Sequence, residues 1–146
     1  MSSTPIHYVD LRAFCYATED EKRVETALRT YLPEETPIER DETEGHFGDR
    51  ILVLSTRLEN AADIRYVLRK LTALDEIDRV IDELDDRVTE NTELYLRLDK
   101  QDAFSGTVSL GDGITFRAKI EAYPATKENA LDSARTVLED IRKSDK

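Results

Sequence analysis

The chain has 146 residues, with 32 Asp or Glu against 21 Lys or Arg, and a formal net charge of −11. That length suits one domain burying roughly 68–70% of its unfolded surface, and a single cysteine excludes an intrachain disulfide and any multi-cysteine zinc site. The longest aliphatic run, Ile51-Leu52-Val53-Leu54, falls far short of the ~20 apolar residues that span a bilayer.

Met1-Ser2-Ser3-Thr4-Pro5 lacks the basic segment and apolar run of a signal peptide, which predicts a soluble cytoplasmic protein. Residues 1–146 are predicted to form one domain, with 1–5 and 143–146 as flexible ends. The first strand follows at once. From Ile6 to Tyr16 the chain alternates, with Val9, Leu11, Ala13 and Cys15 pointing one way and Tyr8, Asp10, Arg12, Phe14 and Tyr16 the other. His7 falls on the inward side of its start, which predicts a structural histidine.

Thr18 with Glu21 three residues later predicts a capping box opening a helix whose Val24, Ala27, Leu28 and Tyr31 share a stripe, with Pro33 ending it. Residues 37–43 and 51–58 read as strands joined across Gly45-His46-Phe47-Gly48-Asp49, a hairpin-like loop with Phe47 tucked inward. The loop amides offer a phosphate site as an alternative. Asn60 is positioned to cap a second helix with Ile64, Val67, Leu68 and Leu71 inward. A third, from about Asp75 to Val88, buries Ile77, Val80, Ile81 and Leu84.

Strands return at about 93–100, 106–110 and 114–123, the last two joined across Gly111-Asp112-Gly113, a strong turn signal. In the first of these, Leu94-Tyr95-Leu96-Arg97-Leu98 places leucines on one face and an aromatic and a cation on the other. Pro124 stops the last strand, and Thr126 caps a final helix with Ala130, Ala134, Val137, Leu138 and Ile141 inward. The order β-α-β-β-α-α-β-β-β-α predicts an α+β domain, its mainly antiparallel sheet covered on one face by helices.

The uncovered face would carry Tyr8, Arg12, Phe14, Tyr95, Arg97, Arg117, Lys119 and Tyr123. Rings on such a face stack bases, and Arg12, Arg97, Arg117 and Lys119 meet phosphates. An ordinary solvated face accounts for the same residues, because tyrosine and arginine cover the pleat well. Lys100 and Gln101, just past the strand, reach RNA backbone or base edges, or else Asp99 and Lys100 form a turn around backbone amides.

The charge is unevenly placed. Residues 91–124 carry four cations against five carboxylates, so the strands are near neutral while the helices and loops hold most of the negative excess. Only seven of the 21 basic residues are lysine. Excess carboxylate with sparse lysine suits a salt-rich cytoplasm, where a Debye length of ~3 Å at molar salt removes the mutual repulsion. An acidic protein that simply avoids nucleic acid is the other explanation.

Nothing in the chain argues for catalysis. Acidic pairs such as Asp82-Glu83 and Asp85-Asp86 read as solvated helix faces in so acidic a chain. There is no G-x-x-x-x-G-K-[ST] loop, no Ser-His-Asp arrangement and no histidine pair at metal spacing. No cofactor and no metal site are expected.

Four segments carry a resemblance: Ala17-Thr18-Glu19-Asp20-Glu21, Gly45-His46-Phe47-Gly48, Tyr95-Leu96-Arg97-Leu98-Asp99-Lys100-Gln101 with Ala103-Phe104, and Ala122-Tyr123-Pro124-Ala125. Over about residues 6–141 the chain resembles an archaeal family of predicted RNA-binding, exosome-associated proteins, the Arg-Leu-Asp-Lys-Gln string being the most specific part. The resemblance implies RNA and exosome subunits as partners, and either a ribosomal protein L5-like or a double-stranded-RNA-binding-like fold. Residues 75–142, read as α-β-β-β-α, match the order of the latter. Its phosphate-gripping lysine cluster is replaced here by Thr126-Lys127-Glu128-Asn129, which favours the L5-like architecture. The combined expectation is a non-catalytic RNA-binding protein contacting RNA through Arg12, Tyr95, Arg97, Lys100, Gln101, Arg117, Lys119 and Tyr123. The alternative is a protein-interaction module, monomeric or a homodimer, with no direct RNA contact.

Overall fold

Alternation of apolar and polar residues decides the sheet. In strand β1 (Ile6–Cys15), Val9, Leu11, Ala13 and Cys15 are buried while Asp10, Arg12 and Phe14 occupy the opposite face. Strands β2 (Glu39–Glu44), β3 (Arg50–Leu58), β4 (Glu93–Asp99) and β5 (Gly113–Ile120) complete it. This computed structural model describes residues 4–144. The strand order is β2-β3-β1-β5-β4, with every neighbouring pair antiparallel.

Six helices accompany the sheet: α1 (Glu21–Arg29), α2 (Ala61–Thr72), α3 (Ile77–Asp82), α4 (Leu84–Arg87), α5 (Lys100–Phe104) and α6 (Lys127–Ser144). The inward stripes of α1, α2 and α6 pack on the buried sheet face and form one contiguous core with Leu11, Leu54, Leu96, Ile114 and Phe116. Burying a side chain the size of Phe116 completely stabilises by roughly 1.5–3 kcal/mol, and it sits at the middle of the layer with 0% exposure. The fold is the α+β sheet with helices on one face that the sequence pattern predicts.

Two helix starts follow the local chemistry read from sequence. Asn60 accepts from the Asp63 amide at 2.9 Å, and Thr126 Oγ1 accepts from the Asn129 amide at 3.2 Å. The α1 start differs, because Asp20 rather than Thr18 caps it, accepting from the Lys22 amide at 2.9 Å. Glu19 is thereby released for another partner.

Other expectations are corrected. The helix predicted over 75–88 is broken at Glu83, whose backbone leaves the helical region and whose carboxylate pairs with both Arg79 and Arg87. Residues 106–110 form no strand; Leu110 makes an isolated bridge to Leu98, and the missing strand removes the α-β-β-β-α order. The strand predicted at 93–100 ends at Asp99, which caps α5 by accepting from the Asp102 amide at 2.8 Å. Strand β5 stops at Ile120 rather than Tyr123.

His7 is not inward. A register shift between Ile6 and Tyr8 turns Ile6 into the core and leaves His7 exposed beside Glu121 at 3.3 Å. Phe47 is 89% exposed at the hairpin tip, not tucked in. Of the ends expected to be flexible, residues 1–3, 145 and 146 lie outside the described residues. Pro5 is held, its carbonyl accepting from the Glu121 amide at 2.8 Å, and Lys143 lies within α6.

Candidate nucleic-acid interface on the open sheet face

Pairing register arranges the polar face in rows that cross the strands. One row runs Arg57, Asp10, Arg117, Tyr95, and the next runs Glu39, Ser55, Arg12, Thr115, Arg97. Phe14 lies one row beyond the second, opposite Val53, and Tyr8 faces Lys119 and then Glu93 on the far side of the first. Adjacent rows bring side chains on the same face within reach of one another.

The first row is internally neutralised. Asp10 receives a two-pronged contact from Arg57, at 2.8 and 3.0 Å, and a further hydrogen bond from Arg117. Burial alone would push the Asp10 carboxyl up, but the two guanidinium donors outweigh it and hold it below its ordinary value. The same bond to Asp10, with help from Tyr95, pushes the Arg117 guanidinium up. Arg117 also lies 3.6 Å from Glu93. The Arg57 guanidinium covers the Tyr8 ring at 3.9 Å, so that face of the ring is already stacked.

The second row keeps its cations available. Arg12 is exposed and has no ion pair or side-chain hydrogen bond among the described residues. Arg97 is 76% exposed and has only Asp112 at 3.8 Å; exposed pairs of this kind contribute under about 1 kcal/mol. Two strand spacings separate Arg12 from Arg97, roughly 10 Å, with the Thr115 hydroxyl between them. Tyr95, 37% exposed, stands on one side of this row and half-buried Phe14 on the other. A cavity of about 200 Å³ opens between Arg12, Phe14, Tyr95 and Arg117. A second, of about 380 Å³, lies beside it among Phe14, Tyr16, Arg97 and Gln101.

The structure therefore sorts the predicted residues. Arg12, Tyr95, Arg97 and Arg117 converge on one open surface, no helix among the described residues covers them, and Gln101 borders it from the first turn of α5. Lys100 lines the second cavity beside Gln101, but its charge is already engaged. Its ammonium is turned inward, donating to the Phe14 carbonyl at 2.8 Å and to Glu19 at 2.7 Å, with 13% of the side chain exposed. Lys119 donates to the Asn91 carbonyl. Tyr123, 84% exposed, lies in the loop between β5 and α6, outside the rows.

Sequence reading missed Arg57, Asp10 as an anchor, and Thr115. Their signal is the alternation of β3 and β5, which places Ser55 with Arg57 and Thr115 with Arg117 on the polar face. Their roles emerge only once β1 is known to lie between those strands.

The sheet is antiparallel, with helices behind it and rings and guanidinium groups in front. A family model described as RNA binding matches residues 8–120, which run from β1 to the last residue of β5, and the chain belongs to that family. It is 36% identical to the RNA-binding protein PAB1135 of Pyrococcus abyssi over 144 residues, covering 91% of this chain and 94% of that one. Among solved structures it is similar to Mth689, a DUF54 protein from Methanothermobacter thermautotrophicus (40% identity, TM-score 0.79, 91% and 98% coverage). It is also similar to AF2318 from Archaeglobus fulgidus, again of DUF54 (31% identity, TM-score 0.82, 90% and 99% coverage). No helix among the described residues is long and apolar enough to cross a membrane.

Proposed function

We propose that the protein binds RNA directly through the open face of its sheet and catalyses no reaction on it. The observation that carries this is the Arg12–Thr115–Arg97 row, two accessible guanidinium groups flanking a hydroxyl, with Phe14 and Tyr95 on either side. Phosphates take the guanidinium groups and bases take the rings, the division of labour general to RNA platforms. Arg57, Asp10 and Arg117 stiffen the platform beneath the ligand.

The cellular setting belongs to the same proposal: the cytoplasm of a halophilic archaeon, near RNA-processing or ribosome-related machinery, with exosome subunits as partners. The L5-like architecture implied by the sequence resemblance is part of it. High salt weakens phosphate contacts steeply, so affinity there rests on stacking and hydrogen bonds. The test is fluorescence anisotropy of labelled RNA with the Arg12→Gln, Arg97→Gln double variant. Losing two phosphate contacts on a single strand lowers the slope of log K against log salt by about 1.4. An unchanged slope and affinity in a folded variant removes the site.

One observation favours a second reading, a protein-interaction module. Strand β2 is at the sheet edge, all six residues are exposed, and Glu39, Asp41, Glu42 and Glu44 line it. An extended segment of a partner protein adds to such an edge, whereas two copies of this acidic edge repel each other. Light scattering together with the nucleic-acid absorbance of natively purified protein separates the readings.

A further inference from the structure

We infer that the open face accepts a single unpaired RNA strand and rejects duplex RNA, because its cationic strip is one backbone wide and bounded by carboxylates. This deepens the RNA-binding reading and rests on it. The strip ends in acid on both sides. Along the row, Glu39 stands beyond Ser55 at one end, and at the other Asp112, in the turn before β5, comes within 3.8 Å of Arg97. Next to Arg12, on the β2–β3 side, a trough of about 820 Å³ has Arg12, Arg57 and Arg117 on its inner wall and Glu34, Glu35, Glu59 and Asp63 among its other lining residues. Asp41 extends the same margin into the row that contains Phe14.

A single strand keeps its phosphates over Arg12, Thr115 and Arg97 and turns its bases toward Phe14, Tyr95 and the cavity beside Gln101. The Gln101 amide, exposed and without a side-chain hydrogen bond among the described residues, presents a donor and an acceptor to a base edge there. A duplex brings a second backbone. With the first over the strip, the second lies over the acidic margin, within the ~8–10 Å across which charges interact at moderate salt. A duplex also hides the base faces that the two rings would stack against. Nor does α6 supply a grip, since its first turn carries a single lysine, Lys127, next to Glu128.

The experiment compares a labelled oligouridine with a labelled RNA hairpin of equal length on the full chain, by anisotropy at moderate KCl. The oligouridine is expected to bind at least roughly tenfold tighter. Glu39→Gln, Asp41→Asn, Glu59→Gln, three changes at exposed positions, is expected to narrow that gap by raising hairpin affinity. Phe14→Leu is expected to weaken oligouridine binding roughly tenfold. Hairpin binding equal to or tighter than oligouridine, or a neutralised margin that leaves the gap unchanged, overturns the inference and leaves RNA binding standing. Folded protein that binds neither RNA overturns the RNA reading itself, and single-strand selection falls with it.

Discussion

Lys100 and Glu19 meet at 2.7 Å although 81 residues separate them, and the same ammonium donates to the Phe14 carbonyl at 2.8 Å. The contact ties the start of α5 to the turn between β1 and α1. It assigns a structural purpose to the most distinctive string of the sequence: Asp99 caps α5 and Lys100 latches it down. Burial would raise the Glu19 carboxyl, but the Lys100 ammonium and the Tyr16 amide hold it below its ordinary value.

Replacing Lys100 with methionine keeps the apolar stem and removes three donors. Hydrogen bonds to charged groups contribute about 1.5–3 kcal/mol, so Lys100→Met is expected to lower the melting temperature by roughly 3–12 °C for a domain of this size. RNA affinity is expected to stay within about twofold, since the ammonium is already taken by the Phe14 carbonyl and Glu19. Thermal melts and anisotropy on the same variant check both parts. A stable variant that has lost RNA binding would return Lys100 to the interface.

Asp10 gives the sheet an acid-sensitive centre. Its folded-state pKa lies below the ordinary 3.8, so its contribution to stability is present above about pH 4 and is lost as pH falls through the folded value. Asp10→Asn leaves Arg57 and Arg117 facing one neutral amide. The variant is expected to be less stable at neutral pH by about 1–3 kcal/mol. Its stability should also fall less steeply than that of the parent chain below pH 4, as urea melts across the acid range will report.

Gly111 is required by the same corner. A Cβ there would stand 2.5 Å from the Asp99 Cβ and 2.9 Å from its Cα, a clash that no rotamer change relieves. Gly111→Ala is expected to cost about 1–3 kcal/mol and to loosen the α5 cap. Hydrogen exchange at the Asp102 amide, which donates to Asp99 at 2.8 Å, will accelerate relative to amides in β1.

Much of the fold is legible from local pattern. The alternation of β1 from Val9 onward, and of β4 and β5, identifies the buried face residue by residue, and the Asn60 and Thr126 caps mark two helix starts correctly. What escaped depends on contacts distant in sequence. Both Thr18 and Asp20 are good caps, and Asp20 prevails while Glu19 between them turns to Lys100. Residues 106–110 alternate like a strand, yet the stretch follows α5 directly and meets β4 at a single bridge, Leu110 to Leu98, beside which the Ser109 carbonyl accepts from the Asp99 amide. The leucine and isoleucine spacing continues unbroken past Glu83, so periodicity alone hides the break between α3 and α4.

The candidate site divides along the same line. Arg12, Tyr95, Arg97 and Arg117 are correctly placed because strand alternation alone sets which face they take. Whether a cation on that face is free or engaged is a matter of register, and so the clamping of Arg117 by Asp10, with Arg57 on its other side, was invisible. For Lys100 the sequence left two readings, an RNA contact or a turn in which Asp99 accepts backbone amides. Asp99 does accept from the Asp102 amide, while the Lys100 ammonium binds Glu19, a partner 81 residues away that no local pattern reveals.

The central claim is that RNA lies on the open sheet face, and amide chemical-shift mapping during titration with single-stranded RNA tests it most directly. The account predicts that the largest changes cluster on Arg12, Phe14, Tyr95, Arg97 and Thr115, with Gln101 following and α2 and α6 unmoved. Changes concentrated on the helical layer, or along β2 with the open face silent, would contradict it.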